Sequence, residues 1–401
     1  MVTVAAIDAA IIGAGPAGSA LAAALAAGGW RVALIEKERF PRDKLCGEFL
    51  SGESQHLLAR LGCLPRLLDL QPNTITRARF TVPDGRALDL PLPAAAFGIS
   101  RLALDALLAQ HAVACGATLL DGHTVRAILP DVPDVPDVPG AGGVTLRLHD
   151  ESTLHAPLVI AAWGRHTPLD RELGRRFMDE PQPYVGFKLH HAVADAPALR
   201  DLRPCVEVHT FDGGYCGLNF IETGDVNVCM LLQPRALDRV EGTPDAAALR
   251  RMLAATSAPL AARLDALTPR AGRPLAVARV PFNRKEVSAH GGRLLFIGDA
   301  GGVIAPLCGD GQAMALQSAV TLGRRLLARA TRPHEWRADD FVVLGRHHAQ
   351  DHARQFRLRL VIGNALQAAL FRPRVATGMI GLMRHMPGLA DWLVRATRGA
   401  N

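Results

Sequence analysis

In DAAIIGAGPAGSALAAALAAGGWRVALIEKE, residues 8–38, three glycines stand at the spacing Gly-x-Gly-x-x-Gly after a short β-branched run, and an acid, Glu36, closes a second such run. Residue types in that order hold a dinucleotide. Gly13 permits a tight turn, Gly15 lets backbone approach a diphosphate, and Gly18 lets a helix pack on a strand. Pro16 and Ala17 open that helix, whose free N–H groups and positive end face the diphosphate. Glu36 accepts hydrogen bonds from a ribose, and Lys37 beside it joins the cofactor contacts. The run Ala9 to Gly29 is uncharged and as long as a membrane span, but its glycines and proline punctuate strand, turn and helix instead.

The elements that must position this turn alternate as βαβ units do, and the implied sheet is parallel at its core. Leu102 to Cys115 reads as a helix ending at Gly116. The tripeptide repeat DVPDVPDVPG, 131–140, excludes helix and central strand and reads as an exposed loop between two strands. From Pro183 to Leu232 the pattern turns strand-like, as in VGFKLHHAVA, CVEVHTF, YCGLNFI and VNVCMLL, which predicts an antiparallel sheet facing a substrate. RLLFIGDAGG, 293–302, returns to a buried strand and a glycine turn, and Gly311 to Ala328 reads as a long helix. After Arg346 the chain is basic, helical and apolar throughout, as protein-packed or membrane-surface helices are.

With 401 residues, 49% of them hydrophobic, the chain can bury a large core in two or three parts. A net charge of +7 suits an acidic cofactor, an anionic carrier protein or a membrane surface. Basic blocks interleaved with aromatics are missing, which argues against nucleic acid. Seven scattered cysteines without a CxxC pair predict no metal site and a reducing compartment. With neither a signal-peptide pattern nor an anchor, the expected location is cytoplasmic, peripheral to a membrane at most.

Four segments together resemble the FAD-dependent oxidoreductases of the geranylgeranyl reductase and aromatic hydroxylase superfamily: the opening stretch, FPRDKLCGEFLS (40–51), ISRLALDALLAQHAVACGATLL (99–120) and LLFIGDAGGVIAPLCGDGQAMAL (294–316). The resemblance implies an α/β fold: a Rossmann-like FAD-binding domain of the glutathione-reductase type, an inserted antiparallel-sheet substrate domain and C-terminal helices. The expected FAD domain is 1–75, 98–178 and 273–345, the substrate domain 76–97 and 179–272, and the helical region 346–401. It further implies that Asp299 binds the ribityl chain and that Pro306, Gly309 and Gly311, with Gln312, lie beside the flavin ring. A helix starting near Gly311 then directs its positive end at the edge where reduced flavin gathers negative charge. Arg101 matches a cofactor-contacting arginine, and Cys46-Gly47 matches a pair beside the flavin, although a free cysteine is as often a small buried hydrophobe. Arg42 either neutralises a cofactor phosphate or is solvated surface.

Two departures shape the functional expectation. Glu48 and Phe49 stand where the prenyl reductases carry further glycines, and Trp163-Gly164 replaces the Asp-Gly of aromatic hydroxylases, leaving Gly164 at the cofactor. No second glycine fingerprint offers NADPH or NADH a domain, so the reductant makes transient contact or acts through a separate reductase. The halogenase Trp-x-Trp-x-Ile-Pro signature is absent from 213–232. The expectation is a monooxygenase that hydroxylates or epoxidises a hydrophobic aromatic, polyketide-like or lipid substrate through a flavin peroxide. Its alternatives are an ene reductase with Cys46, Glu48 or Tyr215 as proton donor, and a non-catalytic FAD-binding protein. Tyr215 and Asn219 are the expected polar contacts for a substrate oxygen.

Overall fold

The computed structural model of the chain describes residues 7–131, 142–181, 183–282, 285–386 and 388. Its first sheet grows from short apolar runs buried along their whole length, Ala9–Ile12, Val32–Glu36 and Leu158–Ala161, as parallel strands covered on both faces must be. Six strands lie in the order Ser288–Ala289, Leu294–Phe296, Leu158–Ala161, Ala9–Ile12, Val32–Glu36 and Thr118–Asp121, all parallel except the first. Helices Pro16–Ala27, Arg101–Ala114 and Gly311–Leu327 cover one face, where Leu21, Leu25, Leu104, Leu108 and Leu322 pack on Ile11, Leu34 and Ile160. A three-stranded sheet, Val125–Pro130, Val144–Leu148 and Thr153–Ala156, covers the other. This is the expected Rossmann-like arrangement. The first two strands of that small sheet flank the proline repeat, of which 132–140 fall outside the described residues.

A nine-stranded sheet forms the second body, antiparallel except where Cys205–Phe211 runs parallel to Asn73–Thr81. Alternation along Gly214–Phe220 sends Cys216, Leu218 and Phe220 into a core shared with helices Ala246–Ala254 and Ala258–Asp265, and turns Tyr215 and its same-face neighbours toward the first body. The borders differ from those expected. Phe49–Leu50 pairs with Ala87–Gly98 at the sheet edge, and Leu275–Val280 pairs with Tyr184–Val193, so the sheet takes chain from both sides of the expected limits. The helix expected after Arg346 begins at Ala338, because the Asp340 carboxylate accepts the Arg337 N–H at 3.0 Å and two acids face the positive helix end. Among the described residues no helix is long and apolar enough to cross a membrane.

One carboxylate reports on the second body. Glu207 is fully buried and accepts from Arg263 at 2.8 and 3.0 Å, with His209 at 3.2 Å. Burial pushes its pKa up, but the His209 and Arg263 hydrogen bonds outweigh this and hold it at about 2. The folded value lies below the unfolded one, so its stabilisation is complete above the unfolded pKa and disappears as pH falls toward 2. Glu207→Gln is expected to flatten the acid limb of a denaturation curve by about 3 kcal/mol, measured as urea midpoints between neutral pH and the acid limit. An unchanged limb would contradict this.

Candidate functional site

The glycine turn is built around one open position. Gly13 has φ +102°, and a Cβ there would lie 2.5 Å from the Ala162 carbonyl oxygen. A Cβ at Gly18 would collide with the Gly13 carbonyl. Both glycines are therefore demanded by the protein's own packing. At Gly15 the nearest atom is an Arg101 guanidinium nitrogen at 3.8 Å, so backbone and a cation border free space at the N-terminus of Pro16–Ala27. At Gly164, φ +92°, a Cβ would meet nothing within 4 Å. These cradles fit an FAD diphosphate, and the orphaned, buried Oε1 of Gln312 at the start of Gly311–Leu327 fits a polar edge of its ring.

A buried charge network backs the turn. Glu36 Oε2 accepts from the Ala14 N–H at 3.0 Å and from Arg42 at 2.9 Å. Arg42 also reaches Asp105 at 2.5 Å, and Asp105 takes a two-pronged contact from Arg101 at 2.6 and 2.7 Å. Arg42 is 4% exposed, which removes the solvated-surface alternative: it orients Glu36 from behind. Burial raises the Glu36 pKa, but Lys44 and Arg42 outweigh it and keep the carboxylate ionised. Asp105 is held low against burial by Arg101 and Arg42. Lys37 lies apart from this cluster, 61% exposed beside Glu38.

Glu48 links the turn to the nine-stranded sheet. Its Oε1 accepts from Lys188 Nζ at 2.5 Å and from the Arg101 N–H at 2.8 Å, and its Oε2 pairs with His190 Nε2 at 2.6 Å. Lys188 also donates to Asp43 at 2.6 Å. Asp43, Glu48 and His190 converge as metal ligands would, but the Lys188 ammonium already bridges the Asp43 and Glu48 carboxylates. The backbone at Glu48 is left-handed, φ +54°, a conformation that surrounding contacts must impose on a side-chain-bearing residue. With both oxygens engaged and no exposure, Glu48 is a clamp rather than the free proton donor for which the reductase alternative makes it, with Cys46 and Tyr215, a candidate. It holds Cys46 and Gly47 over the cavity, where Gln312 Nε2 lies 3.1 Å from Cys46 Sγ.

That cavity, about 240 Å³, separates the two bodies. One wall is the turn Pro306–Cys308 with Gly309, Gly311 and Gln312, beside Asp299. Gly309 has φ +71° and abuts the Phe49 ring. The opposite wall is the sheet, with Leu88, Val208, Tyr215, Gly217 and Leu231, and the roof is Leu370, Met379, Ile380 and Met383 of the C-terminal helices. Asn219 lines it too, but donates to the Glu48 carbonyl at 3.3 Å and so braces the clamp. Tyr215 packs near the Phe371 ring, and its hydroxyl has no hydrogen-bond partner among the described residues. Burial, with nearby Cys229 and Cys308, raises the Tyr215 pKa well above its ordinary value, and burial pushes Cys229 up to about 12. The structure thus gathers Cys46, Gly47, Tyr215, Asp299, Pro306, Gly309, Gly311 and Gln312 at one cavity, and Glu36, Arg42 and Arg101 at the turn.

Sequence reasoning missed Asp105, Asp43, Lys188 and His190. The first stands four residues after Arg101 on one helix face, a readable pairing; the others meet only through the fold.

Comparison with known proteins agrees with this geometry. The family described as FAD binding domain matches residues 6–355. A menaquinone reductase of Mycobacterium tuberculosis (strain ATCC 25618 / H37Rv) is 30% identical over 340 residues, 80% of this chain and 78% of that protein. A rifampicin monooxygenase of Streptomyces venezuelae is 30% identical over 43% of this chain and 35% of its own. The solved flavin-dependent brominase Bmp2 has a TM-score of 0.76 at 18% identity, covering 98% of this chain and 93% of that one, a likeness of fold alone.

Proposed function

The chain belongs to the FAD-binding-domain family, an FAD-dependent oxidoreductase, and from that premise we propose that it is a monooxygenase that oxygenates a hydrophobic aromatic, polyketide-like or lipid substrate. The carrying observation is the apolar cavity against the 306–312 turn, where Glu48 is ion-paired with Lys188 and where Tyr215 and Cys229 are very weak acids. FAD, reduced by NADPH or NADH, supplies the activation of O2, so that one oxygen atom enters the substrate and the other leaves as water. The chain's own residues orient and exclude water. Arg101 and the start of Pro16–Ala27 would hold the diphosphate, Glu36 the ribose and Asp299 the ribityl chain. The positive end of Gly311–Leu327 would favour negative charge on the flavin, and Tyr215 would donate a hydrogen bond to a substrate oxygen. Seven free cysteines support a reducing, cytoplasmic setting.

A second reading, ene reduction, is favoured by one observation: the relative aligned over most of the chain is named a menaquinone reductase, while the rifampicin monooxygenase aligns over less than half. Tyr215 is then the proton donor. Labelled O2 in the presence of NADPH decides: label in the product is expected. An unlabelled product two hydrogens heavier, formed anaerobically, assigns the reductase instead. In either chemistry Tyr215→Phe is expected to lower kcat/KM about tenfold, or about 1.4 kcal/mol, with FAD retained.

A further inference from the structure

The roof of the cavity has an outer side that no described part of the chain covers. On the helix Pro373–His385, Ala376, Met379, Ile380 and Met383 face inward. Val375, Leu382 and, just past the helix end, Met386 face out, the last two each 51% exposed. The neighbouring Ala338–Leu370 adds Leu358 and Val361, 64% and 61% exposed, one turn apart on its outer side. A helix apolar on both sides at a protein surface is made for two hydrophobic environments.

Charge names the second environment. Arg354, Arg357, Arg372, Arg374 and Arg384 are exposed around these residues, and none pairs with a carboxylate among the described residues. The sequence carries no Asp or Glu between Asp351 and Asp391, so the surface is cationic without internal compensation. Large apolar side chains with an arginine rim form the pattern of a helix lying in a lipid interface, and no helix among the described residues is able to span one.

We propose that the outer face of the two C-terminal helices docks on an anionic membrane surface, bringing the cavity roof of Leu366, Leu370, Met379, Ile380 and Met383 against the lipid from which the substrate enters. The entry step rests on the hydrophobic-substrate reading above. The docking step is read without turnover, so the two fail separately.

The test is flotation of the FAD-loaded protein with phosphatidylcholine vesicles, with and without about 30 mol % phosphatidylglycerol. The expected result is that binding to the anionic vesicles exceeds binding to the neutral ones by about tenfold and falls in high salt. The double variant Leu358→Glu/Leu382→Glu is expected to lose that binding with FAD content unchanged. Should it misfold, Arg374→Gln/Arg384→Gln, which alters exposed cations alone, is expected to erase the preference for anionic vesicles. Absence of flotation, or flotation that these variants leave unchanged, overturns the proposal. A dimer that Leu382→Glu splits, or an acidic carrier protein that binds this face and that vesicles do not displace, assigns the surface to a protein instead and overturns it equally.

Discussion

Gly15→Val is expected to give a folded protein without FAD, whereas Gly13→Ala and Gly18→Ala are expected to fail in folding. The three glycines of the fingerprint look alike in sequence but differ in what surrounds them. Gly13 is left-handed and its added Cβ meets backbone at 2.5 Å, and a Cβ at Gly18 meets the Gly13 carbonyl; backbone on both sides leaves nothing flexible to yield. Each of these two changes is expected to cost about 3 kcal/mol or more. Gly15 has φ −78°, open to any residue, and its Cβ points at space bordered by Arg101. The valine therefore displaces ligand rather than protein. A loss of at least about a hundredfold in FAD affinity, about 2.7 kcal/mol, is expected, with the melting temperature of the FAD-free protein unchanged. Flavin absorbance after purification and fluorescence titration of the apoprotein measure it. A Gly15→Val protein as yellow as the parent would remove the diphosphate from this turn.

What could be read in advance was what lies close in sequence. The glycine turn, Glu36 and the helix over Arg101–Ala114 are local, and their periodicity and caps survive any tertiary context. The period-two alternation of Tyr215, Gly217 and Asn219 likewise puts one strand face toward the cavity. Glu48 shows where local reading stops. Beside Cys46-Gly47 it resembles an acid waiting at a flavin, and only the return of Tyr184–Val193 alongside brings Lys188 and His190 onto its carboxylate. The same holds for the C-terminal helices. Their sequence suits either capping the flavin domain or roofing a cavity, yet Ala338–Leu370 does both along its length: Phe341 and Leu344 pack in the first body's core, and Leu366 and Leu370 line the cavity. Cutting the chain after Arg354 would sever this helix in its middle, so a truncation there does not separate the two roles.

A glycine in the middle of a buried strand provides the cleaner probe. Gly217 lies between Tyr215 and Asn219 on the cavity wall, paired with Val208 and Cys229 on the strands beside it. Glycine there weakens the strand, and its usual reason is that something must approach the backbone closely. A Cβ at this position meets only the carbonyls of Cys229 and Glu207, at 3.7 and 3.8 Å, which is ordinary contact. Gly217→Leu therefore fits the sheet and sends its branched end into the cavity between the tyrosine hydroxyl and the clamp. Strand propensity gains a few tenths of a kcal/mol, and apolar walls receive the new side chain, so melting temperature and FAD content are expected to hold or rise. Substrate has to surrender that volume. The expected result is a rise of about ten- to a hundredfold in KM for an apolar substrate, roughly 1.4 to 2.7 kcal/mol, with NADPH oxidation uncoupled from product formation. Gly217→Ala should lie between the two, because a single methyl takes only part of the space. Unimpaired turnover in Gly217→Leu would mean that the substrate lies elsewhere than between the sheet and the 306–312 turn.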